Sequence, residues 1–238
     1  MTETTEKFIR LFEELKAEVN QRANLPTSHS FEISEGAQRD VVINKRKDLL
    51  YYVKDVRNAL QHPKHRSQGP AFLISKAFLA EVKALLDHLK NPVRSGSVGI
   101  PRKNIRTASL SDLLGNLAME MKANGFSHVP ILNENDVVVG VFNEAAVFDF
   151  LWSEDAKIIE RTMSVEEILP HCRLDADHTE TFRFVGPRVP IEELVDLFRA
   201  IQSPTTRIGA IFVTASGKET ERLQRLITPW DVLGRGLE

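Results

Sequence analysis

The stretch Ser127-His128-Val129-Pro130-Ile131-Leu132-Asn133-Glu134-Asn135-Asp136-Val137-Val138-Val139-Gly140-Val141-Phe142 decides the fold of the second half of the chain. His128 to Leu132 and Val137 to Phe142 are short apolar runs rich in β-branched side chains, and the polar tetrad between them has the composition of a hairpin turn. Upstream, Leu110 to Asn124 reads as a helix with Ser109 or Ser111 as its cap and Gly125 as its stop. Downstream, a helix is expected from Glu144 to Trp152. The order helix, strand, strand, helix then returns, with a helix from Ile191 to Gln202 begun by Pro190 at a favoured first-turn position. Strands at Ile208 to Val213 and Leu223 to Ile227 and a last helix from Pro229 complete the second copy. Two copies of one order amount to an internal repeat. Leu174 to Arg188 stands outside that order as an insertion with no assigned place.

The first ninety residues follow a different rule. Phe8, Phe12, Leu15 and Val19, then Leu49, Val53, Val56 and Leu60, then Phe78, Val82, Leu85 and Leu89 all step by four, three and four. That spacing puts each set on one face of a helix, and three such faces are most simply buried in a bundle, completed if need be by a second copy of the chain. The connection through Pro26, Ser28, Ser30 and Gly36 reads as a loop with room for a short extra element. Proline and glycine from Asn91 to Pro101 break any helix, which sets the domain boundary. The expected fold is therefore α + α/β: an all-α bundle over 1–94, then 95–238 as two motifs of small mixed β-sheets with flanking helices, divided into 98–152 and 153–238.

Composition agrees with a folded chain of two domains, 238 residues long with 42% hydrophobic and 27% charged side chains. The polar, acidic first residues and the lack of an apolar run near about 20 residues predict neither export nor a membrane span. The single cysteine, Cys172, excludes an internal disulfide and a thiolate metal cluster, so no metal is expected and a reducing, cytoplasmic address is. The net charge of −2 hides an asymmetry: residues 1–95 carry +4 and the remainder −6. Val56 to Ala80 contains no acidic residue, while Arg57, Lys64, Arg66 and Lys76 are basic. This stretch is a candidate polyanion surface as well as a candidate solvated loop.

The repeated order, with Ser127 to Leu132 before a hairpin and Gly140-Val141-Phe142 before a helix, resembles the tandem CBS domain, or Bateman module, over roughly residues 98–236. The resemblance implies an adenine-nucleotide ligand, whether AMP, ADP, ATP or S-adenosylmethionine. It gives the diagnostic Thr and Asp, three apart at the start of the last helix, to Thr228 and Asp231, with the backbone of Arg207, Ile208 and Gly209 against the base. A helix start attracts phosphate, and a carboxylate can accept both ribose hydroxyls. In the first motif the matching run is Asn143-Glu144-Ala145-Ala146, where alanine cannot hold a ribose. One competent site per chain is expected. The same Thr-x-x-Asp with proline between is also a good helix cap that needs no ligand.

In the first part, Arg57-Asn58-Ala59-Leu60-Gln61-His62-Pro63 stands where the second helix should end, because Pro63 pushes His62 out of the helical region. Unpaired carbonyls at a helix end favour a protonated imidazole. This run resembles the arginine, polar residue and spaced histidine of the HEPN domains, and the resemblance covers about residues 5–92. Many of these domains are metal-independent endoribonucleases acting as dimers. The resemblance implies proton transfer by His62, charge stabilisation by Arg57, orientation of both by Asn58, and RNA-backbone contacts from Lys64, His65 and Arg66. No cofactor is implied for catalysis. A branch of the family carries a modified tyrosine two positions after the histidine, where this chain has Lys64. Arginine and histidine also finish helices without any activity.

Together these readings predict a homodimeric regulator in which adenine-nucleotide binding to the CBS pair controls an RNA-cleaving or RNA-binding helical effector. The rival expectation is a non-enzymatic sensor or scaffold whose bundle docks a protein partner. A third is a CBS pair that binds nothing and only holds the dimer.

Overall fold

The computed structural model describes residues 2–26, 30–61, 72–153, 158–175, 180–200 and 206–233. They divide into two compact units, Met1–Val93 and Arg94–Glu238.

The first unit is helical: α1 Glu3–Arg22, α2 Ile33–Arg39, α3 Val41–Lys45, α4 Lys47–Gln61 and α5 Lys76–Lys90. Thr2 caps α1 by accepting from the Thr5 amide, and Ser75 caps α5 by accepting from that of Phe78. Phe8, Phe12, Leu15 and Val19 of α1 face Val82, Leu85, Leu86 and Leu89 of α5 in one core. On α4 the buried stripe is turned slightly from its expected setting: Leu50 and Val53 are fully buried, whereas Leu49, Val56 and Leu60 are only partly so. The connection expected to be mainly loop folds instead as α2 and α3. Asp40 accounts for the second of these, accepting from the Ile43 amide at its start and pairing with Arg22 at 2.7 Å. Arg22 also donates to the Leu89 carbonyl, so one buried guanidinium ties α1 to α3 and to the end of α5.

The second unit contains β1 Ile100–Pro101, α6 Leu114–Asn124, β2 His128–Leu132, β3 Val138–Asn143, α7 Glu144–Trp152, α8 Val165–Cys172, β4 Glu180–Val185, α9 Ile191–Arg199, β5 Arg207–Val213, β6 Arg225–Ile227 and α10 Pro229–Leu233. Gly125 stops α6 in the left-handed region, as its composition predicts. The start of α6 is later than expected. The Leu110 and Asp112 carbonyls accept from Glu166 and Val165 across a bridge to Ser164, and cannot serve a helix. Neither Ser109 nor Ser111 caps α6, since Ser109 bonds to the Asp112 carboxylate in a turn of its own. Pro190 has extended ψ and is the residue before α9, not its first helical residue. Gln202, the expected end of that helix, lies outside the described residues.

The stretch from Leu174 to Arg188 is no insertion in the sheet's logic, because it contains β4, which pairs in parallel with β5. The sheet order is β1-β6-β5-β4, with β2-β3 as a separate hairpin. Two segments cross between the halves of this unit. Val98 and Ile100, at the very start of the first motif, pack with the second repeat, and β1 pairs with β6. In return, Val165, Ile168 and Cys172 of α8 join the core of the first repeat. Packing therefore crosses the 152/153 division in both directions. Gly99 makes the first crossing possible: it has φ +72°, and a Cβ there would lie 2.3 Å from the Leu226 carbonyl oxygen. Between the two sheets, Ile105, Leu132, Val138, Val141, Phe182, Phe212 and Leu226 form a shared apolar layer.

Candidate functional site

Thr228 follows directly on β6, and Asp231 is in the first turn of α10. Both the amide and the hydroxyl of Thr228 donate to Asp231 Oδ2, each at 2.8 Å. The two residues are thus brought together at the helix start with Asp231 accepting both bonds, and both are half-buried. Ile227, the residue before Thr228, stands opposite Ile211 of β5 as the last pair of that ladder.

Ile208 stands opposite Thr181 and Ala210 opposite Phe182, which leaves Gly209 as the extra residue of a bulge in β5. A bulge releases the peptide from the ladder at that point. Ile208 turns its side chain into the core, whereas the Arg207 side chain is 79% exposed.

A polar cluster unforeseen in the sequence lies against this bulge. Glu180, the first residue of β4, accepts at Oε2 from His128 Nε2 (2.9 Å) and Asn143 Nδ2 (3.1 Å). At Oε1 it accepts from Arg207 Nε (3.2 Å) and Nη2 (3.0 Å). His128 and Glu180 side chains are each only 12% exposed. The hydrogen bond from His128, together with its charge and that of Arg207, lowers the Glu180 pKa to about 2 against the opposing effect of burial. His128 and Asn143 belong to the first repeat and face each other across β2 and β3, while Glu180 and Arg207 belong to the second. The carboxylate consequently joins the two halves. The Thr-Phe-Arg-Phe-Val alternation after Glu180 was the available signal for its strand, but nothing local marks the partner across 52 residues.

In the first repeat Asn143 takes the place that Thr228 holds in the second. Its side chain caps α7, accepting from the Ala146 amide at 2.8 Å, and Ala146 is fully buried. Beside this cap a cleft of about 700 Å³ opens between α6 and α7, lined by Met121, Phe126, Phe142, Val147, Phe148 and Leu151 among others.

In the helical unit, Arg57 Nη1 donates to Asn58 Oδ1 at 3.3 Å. Its guanidinium also lies 5.2 Å from the centre of the Phe12 ring and 3.9 Å from Glu13 Oε1, so α4 leans on α1 through this side chain. His62, Lys64, His65 and Arg66 lie outside the described residues. Cys172 is buried, and desolvation pushes its thiol up to about 12, which keeps it unreactive. Among the described residues there is no cluster of metal-ligating side chains and no helix long and apolar enough to cross a membrane.

The depressed Glu180 pKa makes a pH-dependent contribution to stability. A carboxylate bound more tightly in the folded state stabilises it above the unfolded pKa and loses that effect as pH falls. In urea titrations, the stability gap between wild type and Glu180→Gln should be full above about pH 4.5, up to about 3 kcal/mol, and should close towards pH 2. A gap that stays constant over that range contradicts the assignment.

Comparison with known proteins gives one family match, to the model of the CBS domain over residues 96–153. No curated protein matches the chain. Similar solved structures include CBSX2 in complex with AMP, at 16% identity over 59% of this chain and 93% of that one, with a TM-score of 0.43. A putative acetoin utilization protein (AcuB) from Vibrio cholerae is 18% identical over 60% of this chain and 90% of its own, with a TM-score of 0.44. The CBS domains of a transcriptional regulator from Streptococcus pneumoniae are 16% identical over 61% of this chain and 100% of theirs, with a TM-score of 0.42. A helical N-terminal unit is thus followed by a unit that contains a CBS domain, matched over residues 96–153.

Proposed function

We propose that this chain is an adenine-nucleotide-responsive regulator in which residues 95–238 form a CBS pair and the helical unit is the effector. The observation that carries this reading is the repeated strand, strand, helix order ending in Thr228 and Asp231. Those two residues follow directly on β6, which pairs with β5, the strand that carries the bulge at Gly209. The backbone of Arg207, Ile208 and Gly209, of which Gly209 stands outside the ladder, would lie against an adenine ring, and Asp231 can exchange its bonds to Thr228 for ribose hydroxyls. Alanine at 146 leaves the first repeat without that carboxylate, so the chain has one nucleotide site. The ligand is AMP, ADP, ATP or S-adenosylmethionine, and the protein acts as a cytoplasmic homodimer. Support for a second copy comes from the exposed Met119, Phe148, Leu151 and Trp152 on α6 and α7.

Calorimetry with the four nucleotides tests the site. At least one should bind the wild-type chain, and Asp231→Ala should weaken it by about tenfold or more. Equal affinity in the variant, or no binding by any of the four, contradicts the proposal.

For the effector, the contact between Arg57 and Asn58 near the end of α4 favours a HEPN-like endoribonuclease. In that reading His62 transfers the proton and Lys64, His65 and Arg66 hold the RNA backbone. The Phe12 and Glu13 contacts of Arg57 favour the rival, a non-enzymatic scaffold that docks a protein. Incubation with structured RNA in EDTA separates the two. Cleavage by wild type, lowered at least about 100-fold in both Arg57→Ala and His62→Ala, establishes the enzyme. Wild type and both variants equally inert with every nucleotide present overturn the ribonuclease reading.

A further inference from the structure

In the helical unit a groove of about 370 Å³ runs between α1 and α5. Leu11 and Leu79 form its floor, both partly buried against the core, with the exposed Ala80 beside them. Lys7 and Arg10 stand on the α1 side and Lys76 and Lys83 on the α5 side, and no acidic residue is among the described lining. Lys7 donates to Glu3 at 2.7 Å, an exposed pair that holds it weakly. Glu14, one turn beyond Arg10, is already engaged by Lys90 at 3.1 Å. Among the described residues, Arg10, Lys76 and Lys83 have no acidic partner. Lys76 also belongs to the stretch from Val56 to Ala80 that contains no acid at all. Lys76, Leu79, Ala80 and Lys83 share one face of α5, and from the first to the last the groove runs about 10 Å, roughly two turns of a helix laid beside it.

We propose that this groove docks an acidic amphipathic helix of a partner protein, whose apolar stripe covers Leu11 and Leu79 while its carboxylates meet Arg10, Lys76 and Lys83. An apolar floor ringed by unpaired cations matches that chemistry at both levels: the stripe supplies burial, and the rim charges select the partner and its orientation. A nucleic acid matches only one of them. Its phosphates suit the cations, but an aliphatic floor gives its bases no aromatic face to stack on and would stay uncovered. The described helices of this chain with two acids in their first turn, α1, α8 and α9, already turn their own apolar stripes into cores, so the docked helix comes from another protein. The inference is independent of the nucleotide site and of whether the helical unit cleaves RNA, because Arg57 and Asn58 are on α4, which contributes no described residue to the groove.

The test titrates the full chain into three fluorescent synthetic peptides of about 18 residues, long enough to be helical. They share one stripe of leucines at i, i+4 and i+7 and differ only in the residues flanking it, which are glutamate, glutamine or lysine. The glutamate peptide should bind about tenfold or more tightly than the other two, and its advantage should shrink as salt is added. Ala80 is exposed and lies one turn from both Lys76 and Lys83, so Ala80→Glu puts a carboxylate between the two lysines without disturbing the core. That variant should lose the preference for glutamate, and Ala80→Gln, which adds the same bulk without the charge, should keep it. No binding by the glutamate peptide, equal binding of all three, or a preference that survives Ala80→Glu overturns the proposal. Two further results would also overturn it. Displacement of the peptide by oligouridylate RNA that Ala80→Glu abolishes would assign the groove to nucleic acid, and self-association lost in Ala80→Glu but kept in Ala80→Gln would assign it to a second copy of the chain.

Discussion

The bond set around Glu180 is the constraint on which the second unit depends. Its apolar layer between the sheets can be satisfied by many arrangements, because dispersion and the hydrophobic effect have little directional preference. A carboxylate with four donors is directional, and with 12% exposure it cannot turn to water instead. His128 and Asn143 at the ends of β2 and β3 are thereby set in one register against the start of β4 and β5. The crossing of β1 to the second sheet and of α8 to the first core acts in the same sense. Each half of the unit carries a piece of the other, and neither half buries its core alone.

This arrangement puts the chemistry at a seam. The bulge at Gly209 and the Glu180 cluster lie together at the start of β5, where the two repeats meet. The repeats differ in a specific way: Asn143 caps α7 through Oδ1 and holds Glu180 through Nδ2, and position 146 is alanine where the second repeat has Asp231. The first repeat thus contributes His128 and Asn143 to the cluster, and the second contributes Glu180 and Arg207. In the helical unit Arg57 has an analogous double position, touching Asn58 beside it and resting on Phe12 of α1.

Much of this order is readable from periodicity. The three apolar stripes of the helical unit, the hairpin around Asn133 to Asp136, the helix from Glu144 to Trp152 and the left-handed stop at Gly125 all have local causes. What escapes local reading has non-local ones. The start of α6 is delayed because Glu166 and Val165 use the carbonyls of Leu110 and Asp112, residues more than 50 positions away. Pro170 disguises α8, and β4 acquires its place only by pairing with β5. The stripe on α4 shifts to Leu50 because α1, α2 and α3 together define what is covered. At the candidate site, Thr228 and Asp231 are legible as a motif, but Glu180 has meaning only beside His128 and Arg207.

A double-mutant cycle on His128 and Glu180, read by chemical denaturation of the full chain at neutral pH, tests the central claim most directly. The account predicts that His128→Ala and Glu180→Ala together cost less than the sum of the single changes, with a coupling of about 1–3 kcal/mol. Additivity within about 0.3 kcal/mol would show that the carboxylate does not join the two repeats.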